Sequence, residues 1–247
     1  MARGFLVLIS FFTRIPIGKR ISYNEENFKK SLYLYSLMGA VIGIILLFIS
    51  SISNIFQLNF VKGLILTLSY VIITGGIHLD GAADATDGLF SGRTGDRIFE
   101  IMSDSHIGAF GVLCLIFIIL SQFVLFSYLD MFGCLLMPIV GRCSVVVGSW
   151  NKKYAKHRPG MGTVFIESMN TKVVITNIII LICACLIAPN RIIMLMSSFI
   201  TLIFAFSISK WIEKKIGGMT GDTCGFITEI TQVIFMIAIL FFEGLMG

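Results

Sequence analysis

Apolar residues along the chain fall into long runs that are separated by short polar segments. Seven such runs can be read from the sequence: residues 31–53, 60–78, 107–129, 131–150, 171–189, 192–209 and 224–243. About 20 consecutive apolar residues are enough for an α-helix to cross the hydrocarbon core of a bilayer. Arg142 and Glu229 are the ionisable residues that lie deep within these runs. The pattern predicts an all-α fold, a polytopic membrane bundle of about seven transmembrane helices.

The N-terminal segment, residues 1–18, carries a shorter apolar run. This run covers residues 5–12, between Arg3 and Arg14, and Pro16 follows it closely. It is too short to span a bilayer, and it lacks the small-residue cleavage site of a removable signal peptide. An interfacial or re-entrant helix is therefore expected at this end of the chain.

The composition supports a membrane protein without a separate soluble domain. Of the 247 residues, 56% are hydrophobic and 13% are charged, whereas a soluble domain carries about 25% charged residues. No polar segment between the runs is long enough to fold as a soluble domain. We therefore expect residues 1–247 to form a single integral membrane domain.

Basic residues mark one side of this predicted bundle. They cluster in the N-terminal stretch and in the loops after the second, fourth and sixth runs: Arg3, Arg14, Lys19, Arg20, Lys29, Lys30, Arg93, Arg97, Lys152, Lys153, Lys156, Arg158, Lys172, Lys210, Lys214 and Lys215. The four places are two crossings apart, so they share one side, which the positive-inside rule assigns to the cytoplasm. This predicts a multi-pass protein of the cell (inner) membrane. Attraction to anionic lipids explains the net charge of +5 without a nucleic-acid partner.

Acidic residues concentrate in the polar loop after the second run. Six of the 14 acidic residues lie between positions 80 and 104: Asp80, Asp84, Asp87, Asp96, Glu100 and Asp104. The first three follow i, i+4, i+7 spacing, which places three carboxylates on one face of a helix. Glu100 and Asp104 repeat the i, i+4 spacing on the next segment. Like charges at this spacing repel each other, so the pattern favours a cation bound among them.

The side chains of this loop suit a metal ion together with a phosphate ligand. Oxygen ligands without cysteine favour Mg²⁺, with Mn²⁺ as an alternative, over zinc. Arg93 and Arg97 add guanidinium groups that bind phosphate, so a metal-bridged diphosphate fits the loop best. A solvated acidic loop is the simpler alternative. It is less favoured because clustered carboxylates that begin at the end of an apolar run are usually functional.

Four further residues are candidates for the same site. His78 precedes the carboxylates and suits hydrogen bonding, proton transfer or simple packing. Asp222 follows a glycine turn, where it either caps the last helix or binds a ligand. Glu229 lies about two turns further on the same helical face, and an ionisable residue inside a membrane is functional by default. Arg142 is its expected partner, and a purely structural Arg142–Glu229 pair is the alternative.

Three segments of the chain resemble the signature segments of a known family. They are GGIHLDGAADATDGL from Gly75, EIMSDSHIGAFG from Glu100 and GGMTGDTCGFITE from Gly217. They closely resemble segments of the cobalamin synthases, which are adenosylcobinamide-GDP ribazoletransferases. FLVLISFFTRIPIG and HRPGMG are similar to further segments of that family, and the likeness runs from end to end. The family often carries arginine at the position of His106; if that position contacts phosphate, this chain would bind it more weakly or in a pH-dependent way.

The resemblance implies a membrane transferase of cobalamin (vitamin B12) biosynthesis, with its active site on the cytoplasmic side. Such an enzyme joins adenosylcobinamide-GDP to α-ribazole or its 5′-phosphate and releases GMP. The metal ligands would be Asp80, Asp84 and Asp87, followed by Glu100 and Asp104, and either a carboxylate or His78 would accept the proton. The substrate-binding residues would be Arg93, Arg97, Asp222, Glu229 and Arg142. A homo-oligomer and contacts with other enzymes of the pathway are compatible with such an enzyme.

Three other functions are alternatives for a chain with these acidic residues. A CDP-alcohol phosphatidyltransferase shares the DxxDG fragment at Asp84–Gly88, but Arg93 then falls one place too late. The DxxxD at Asp80 and Asp84 also occurs in membrane prenyltransferases, although this short pattern is weak. A metal or metabolite transporter predicts acidic residues deep in several spans and repeated halves. Here, instead, six of the 14 acidic residues lie in one loop.

Overall fold

The computed structural model describes residues 2–17, 23–53, 55, 57–156 and 160–246. Twelve α-helices lie within these residues: α1 (Ala2–Phe12), α2 (Glu25–Ser31), α3 (Tyr35–Ser53), α4 (Asn59–Thr74), α5 (Ile77–Phe90), α6 (Asp96–Met102), α7 (Ala109–Tyr128), α8 (Met131–Gly148), α9 (Met161–Glu167), α10 (Thr171–Ile187), α11 (Arg191–Ile216) and α12 (Gly221–Met246). The described part contains no β-strand, so the predicted all-α fold is confirmed. Lys19, Arg20, Arg158 and the start of the HRPGMG segment lie outside the described residues.

The helices account for the seven apolar runs. Among the described residues, five continuous helical segments are long and apolar enough to cross a membrane: α2 with α3, α7, α8, α11 and α12. Helices α4 and α10 meet the same criterion only together with a bent neighbour, α5 and α9 respectively. Counting each bent pair as one span gives seven, which agrees with the seven predicted runs.

The second span differs from its prediction in where it ends. The apolar run predicted a continuous helix to residue 78, but α4 ends at Thr74 and α5 begins at Ile77. Between them Gly75 and Gly76 have φ angles of 63° and 70°, a left-handed conformation that glycine adopts without steric cost. The chain bends by 88° there. Helix α5 therefore runs nearly perpendicular to α4 across the end of the bundle, and the pair forms one broken span in which only α4 keeps the direction of the crossing.

Helix α8 forms the centre of the bundle, and small residues bring α3 close to it. In α8, 83% of the spanning window is buried inside the protein, compared with 22% in α7. A Cβ atom on Gly39 of α3 would lie 2.5 Å from the carbonyl oxygen of Pro138 in α8. Gly39 and Gly43 thus form a GxxxG pair that allows close helix contact in a membrane. Helix α7 instead exposes Leu113, Phe117 and other large apolar side chains, as expected of a lipid-facing helix.

Three polar segments meet at one end of the bundle. The loops after α8 and α11 form a short parallel bridge, in which Ala155 N–H donates to Met219 O and Met219 N–H donates to Lys153 O, both at 2.9 Å. Arg14, just after α1, donates its backbone N–H to Ile73 O at the end of α4, at 2.7 Å. The basic segments therefore share one end, as the charge pattern predicts. Helix α1 has only 11 residues, which agrees with a non-spanning N-terminal helix.

Candidate active site

The candidate site lies where α5 crosses the start of α12. Glycines on both helices allow the backbones to approach closely. A Cβ atom on Gly81 would lie 3.1 Å from Asp222 Cα, and one on Gly225 would lie 2.8 Å from His78 O. The crossing brings the acidic helix and the GGMTGDTCGFITE segment together, although about 140 residues separate them in sequence. Contact between these two segments was expected, because the charge pattern predicts that both lie on the same side of the membrane.

Four charged side chains gather at this crossing: Asp80 and Asp84 from α5, Asp222 from α12, and Lys156 from the loop after α8. Asp222 Oδ2 accepts a hydrogen bond from Lys156 Nζ at 2.8 Å. Burial raises the pKa of Asp84 to about 6, with further contributions from the negative charges of Asp80 and Asp222, while Lys156 acts in the opposite direction. Asp84 lies on α5, outside the spanning helices. One lysine does not offset three carboxylates, so the crossing favours an added cation.

Asp222 is not the cap of the last helix. Two threonines cap the N-terminus of α12. Thr220 Oγ1 accepts a hydrogen bond from Thr223 N–H at 3.2 Å, and Thr223 Oγ1 accepts one from Thr220 N–H at 2.9 Å. The carboxylate of Asp222 faces Lys156 and the Thr220 hydroxyl instead. Of the two readings of Asp222 from the sequence, the geometry favours ligand binding over capping.

Asp87 has different surroundings from the other two carboxylates of α5. It is buried, and its two oxygens accept hydrogen bonds from the backbone N–H groups of Gly108 and Gly111, at 2.7 and 2.8 Å. These groups belong to the start of α7, where the first N–H groups have no partner within the helix. Asp87 therefore ties α5 to α7. Its predicted role as a metal ligand remains a prediction, with both oxygens already occupied.

The second acidic pair and the two arginines lie further out on the loop. Glu100 pairs with Arg97 on α6, and Asp104 accepts from His106 N–H at 3.0 Å and contacts His106 Nδ1 at 2.8 Å. The hydrogen bonds from His106 lower the pKa of Asp104. Because α6 ends at Met102, Asp104 does not share a helical face with Glu100, contrary to the spacing argument. Arg93, like the other four, is exposed to solvent.

His78 lines an aromatic cavity beside the carboxylates. The cavity has a volume of about 230 Å³. It is lined by aromatic and small residues together with the two carboxylates at its edge: Phe11, Phe12, Phe28, Tyr35, Ile77, His78, Asp80, Gly81, Met161, Gly162, Phe165, Gly221, Asp222 and Cys224. The His78 ring stacks on Phe12 with centroids 5.5 Å apart, and its Nε2 has no hydrogen-bond partner among the described residues. This position suits ligand binding at least as well as proton transfer.

Glu229 and Arg142 lie deeper, inside the bundle. Glu229 is 1% exposed and accepts hydrogen bonds from Tyr70 Oη at 2.8 Å and Gln122 Nε2 at 3.0 Å. Arg142 lies near Tyr70 and Glu229, but within the described residues it makes no ion pair with Glu229 and its three nitrogens lack a well-oriented acceptor. Neither residue lines the aromatic cavity. Their predicted substrate-binding role stays a prediction, and the geometry favours a structural one.

Comparison with known proteins identifies the family to which the chain belongs. The family model of cobalamin-5-phosphate synthase matches residues 4–240. The chain belongs to the cobalamin-5-phosphate synthase family. It is 35% identical to a protein of Acetivibrio thermocellus over 98% of both chains, and 36% identical to one of Alkaliphilus oremlandii over 96% of both. A protein of Clostridium novyi is 34% identical over 98% of both chains. All three are named adenosylcobinamide-GDP ribazoletransferase, and no solved structure matches the chain.

The carboxylates at the crossing are too few to hold a metal ion without other ligands. Among the described residues, no three His, Cys, Asp or Glu side chains lie close enough to hold a metal by themselves. Mg²⁺ is commonly bound through one or two carboxylates, with substrate phosphates and water as the other ligands. Burial, followed by the negative charges of Asp80 and Asp222, raises the pKa of Asp84, so a nearby cation would stabilise its ionised form. The residues of this cobalamin-5-phosphate synthase family member thus fit Mg²⁺ that arrives with a phosphate substrate.

Sequence reasoning missed two groups of residues in this site. Lys156 was noted only as one of many basic loop residues, and nothing in its spacing distinguished it from Lys152 or Lys153. The aromatic cavity draws its rings from the consecutive helices α1, α2 and α3 and from α9, which lies far from them in sequence. The resemblance of the N-terminal segment to the family was the one available signal, because Phe11 and Phe12 lie within FLVLISFFTRIPIG.

Proposed function

We propose that this protein joins adenosylcobinamide-GDP to α-ribazole, or to α-ribazole 5′-phosphate, with release of GMP. The product is adenosylcobalamin or its 5′-phosphate. The observation that supports the proposal best is the crossing of α5 and α12, where Asp80, Asp84, Asp222 and Lys156 meet. A diphosphate substrate needs both cationic and acidic partners at one place, and the family resemblance names the substrate. The site would face the cytoplasm, as the distribution of basic residues predicts.

The reaction exchanges one phosphate ester partner for another. A ribose hydroxyl oxygen of the acceptor attacks the phosphorus that carries cobinamide, and the bond between this phosphorus and the bridging oxygen breaks. The electron pair of that bond leaves with GMP, and the hydroxyl proton passes to a carboxylate. Asp80 and Asp84 are the best placed acceptors, because Asp87 is held by backbone N–H groups.

Asp80 and Asp84 would also hold Mg²⁺, with Asp222 on the facing helix. When bound, Mg²⁺ would neutralise the charge of the diphosphate and of the departing GMP. Lys156 would keep Asp222 oriented toward the crossing and add a positive charge near the phosphates. Arg93 and Arg97, on the exposed loop that follows α5, would bind the outer phosphate oxygens.

An assay on the purified full-length protein tests this proposal. Adenosylcobinamide-GDP and α-ribazole, or its 5′-phosphate, are supplied with Mg²⁺, and GMP is measured by chromatography. We expect GMP release only when donor and acceptor are both present. A CDP-alcohol donor with an alcohol acceptor serves as the comparison. Turnover of that pair, without turnover of the cobinamide substrate, would contradict the proposal.

A further inference from the structure

The aromatic cavity is the most distinctive feature that the proposed chemistry does not use. Its rings contact each other with the geometry of aromatic pairs: Tyr35 and Phe165 have centroids 4.9 Å apart at 68°, and Phe12 and Tyr35 have centroids 5.3 Å apart at 76°. Phe12 also stacks on His78. Asp80 and Asp222 line the same cavity. An aromatic compartment thus opens directly beside the carboxylates of the crossing.

The size of this cavity limits what it can take. At about 230 Å³ it is smaller than the roughly 300–1,000 Å³ pockets that enclose a whole drug-sized ligand. It has room for one ring system, and neither a whole nucleotide nor a corrin ring would fit inside it. Aromatic walls favour a flat ligand, because planar rings stack on or pack edge-on against phenyl groups.

The polar side chains of this cavity are the carboxylates of Asp80 and Asp222 and the imidazole of His78. Its Nε2 is buried and has no hydrogen-bond partner among the described residues, and His78 as a whole is 4% exposed. A buried polar nitrogen without a partner is costly, so such atoms are normally satisfied by a ligand or by water. The cavity therefore combines an aromatic side with a polar edge, which suits a flat ring that carries a polar substituent. A guanine base carries several donors and acceptors, so it costs more to remove from water than a less polar ring does.

We propose that this cavity binds the base of the nucleoside acceptor, with the ring packed against Phe12 and Phe165 on the aromatic side of the cavity. This inference rests on the proposed function, because α-ribazole carries a flat benzimidazole-type base whose second nitrogen is an acceptor. With the base in the cavity, the attached ribose lies at the edge formed by Asp80 and Asp222. The ribose hydroxyl then meets the site where the diphosphate would bind. Acceptor and donor thus enter from different sides of the crossing.

The test uses 5,6-dimethylbenzimidazole as a probe of the cavity, with guanosine as the comparison. Binding to the purified full-length protein is measured by equilibrium dialysis, and KM and kcat are measured with both substrates. The variants are Phe165→Leu and Phe12→Leu, which remove cavity rings. Phe206→Leu is the matched control, because Phe206 is a half-buried phenylalanine of α11 that does not line the cavity. Thermal unfolding of each variant shows whether it is folded.

We expect the free base to bind and guanosine not to compete with it. Phe165→Leu and Phe12→Leu should each weaken base binding and raise KM for the acceptor by roughly tenfold, the effect of losing one base–aromatic contact. The KM for the donor and kcat at saturation should stay within about twofold, and Phe206→Leu should change neither constant. Failure of the base to bind, or an equal effect of Phe206→Leu, would overturn the inference. Base binding in a protein that releases no GMP would overturn the proposed function and leave the cavity assignment standing.

Discussion

The α5–α12 crossing and the buried network around Glu229 both place charge next to apolar helices, but they satisfy that charge differently. At the crossing, Asp80 and Asp222 line an open cavity, and Lys156 is a counter-charge near Asp222 and Asp84. In the network, Glu229 is enclosed and already accepts two hydrogen bonds. The carboxylates at the crossing retain capacity for a ligand, whereas both oxygens of Glu229 are already hydrogen-bonded, and beside it Arg142 keeps three nitrogens without an acceptor among the described residues. Partners, rather than position in an apolar run, distinguish a site from a structural polar group.

The difference between the crossing and the buried network can first be tested by whether labelling reagents reach each of them. Single cysteines are placed at Ser91 and Lys214, near the crossing end, and at Ser144, in the buried interior of α8, after replacement of the six natural cysteines. We expect Ser91→Cys and Lys214→Cys to react only with reagents that reach the cytoplasmic face. Ser144→Cys should remain unreactive because Ser144 is fully buried. Labelling of Ser91→Cys from outside intact cells would contradict the topology.

The largest graded effect is expected at the crossing. Asp84→Asn should lower kcat by roughly two to four powers of ten, because it weakens binding of a metal that stabilises transition-state charge. EDTA should abolish activity of the wild-type protein, and Mg²⁺ or Mn²⁺ should restore it. The membrane level should stay normal, since Asp84 lies outside the spanning helices. Glu26→Gln, at an exposed carboxylate of α2, is the control. Near-normal turnover by a folded Asp84→Asn variant would show that Asp84 is not part of the site.

A smaller effect is expected when the two helices are moved apart. In Gly225→Ala the new Cβ atom would meet His78 O at 2.8 Å, so α12 or α5 must shift. We expect activity to fall by about ten- to a hundredfold, as misplaced catalytic groups do. Gly244→Ala is the matched control on the same helix, because nothing lies within 4 Å of its added Cβ atom. Equal activity of the two variants would show that close approach of α5 and α12 is unimportant.

The smallest effect on specific activity is expected in the network. Glu229→Gln places an amide group against the donors of Tyr70 and Gln122 and leaves Arg142 without a negative neighbour, so protein level should fall several-fold. The activity per folded molecule should stay within about twofold. The double variant Glu229→Gln, Arg142→Gln should recover the protein level. A tenfold loss of specific activity at normal level would instead support the predicted substrate-binding role.

The overall fold was largely predictable, because long apolar runs have few alternatives in a membrane. The seven spans, the shared end of the basic loops and the meeting of α5 with α12 all follow from run length and charge. The bend at Gly75 and Gly76 was not predicted, because both glycines lie inside an otherwise apolar run. Its position decides that Asp80 lies on a helix across the bundle end instead of inside a span.

The candidate site was predictable in residue types but less so in their partners. Spacing places Asp80, Asp84 and Asp87 on one helix, and all three are on α5. Spacing does not show that Asp87 meets the backbone of Gly108, since that contact depends on how α7 packs. Nor does it show that Lys156 meets Asp222. Such pairs form only in the tertiary structure, so single-sequence patterns do not report them.

The central claim is that Asp84 and Asp222, 138 positions apart, act in one catalytic unit at the α5–α12 crossing. A double-mutant cycle on kcat with Asp84→Asn, Asp222→Asn and the combined variant tests it most directly. Residues that act as a unit give strongly non-additive losses. We predict that the combined variant loses about as much activity as Asp84→Asn alone. A loss equal to the product of the two single losses would show that the carboxylates act independently, and would contradict a shared site.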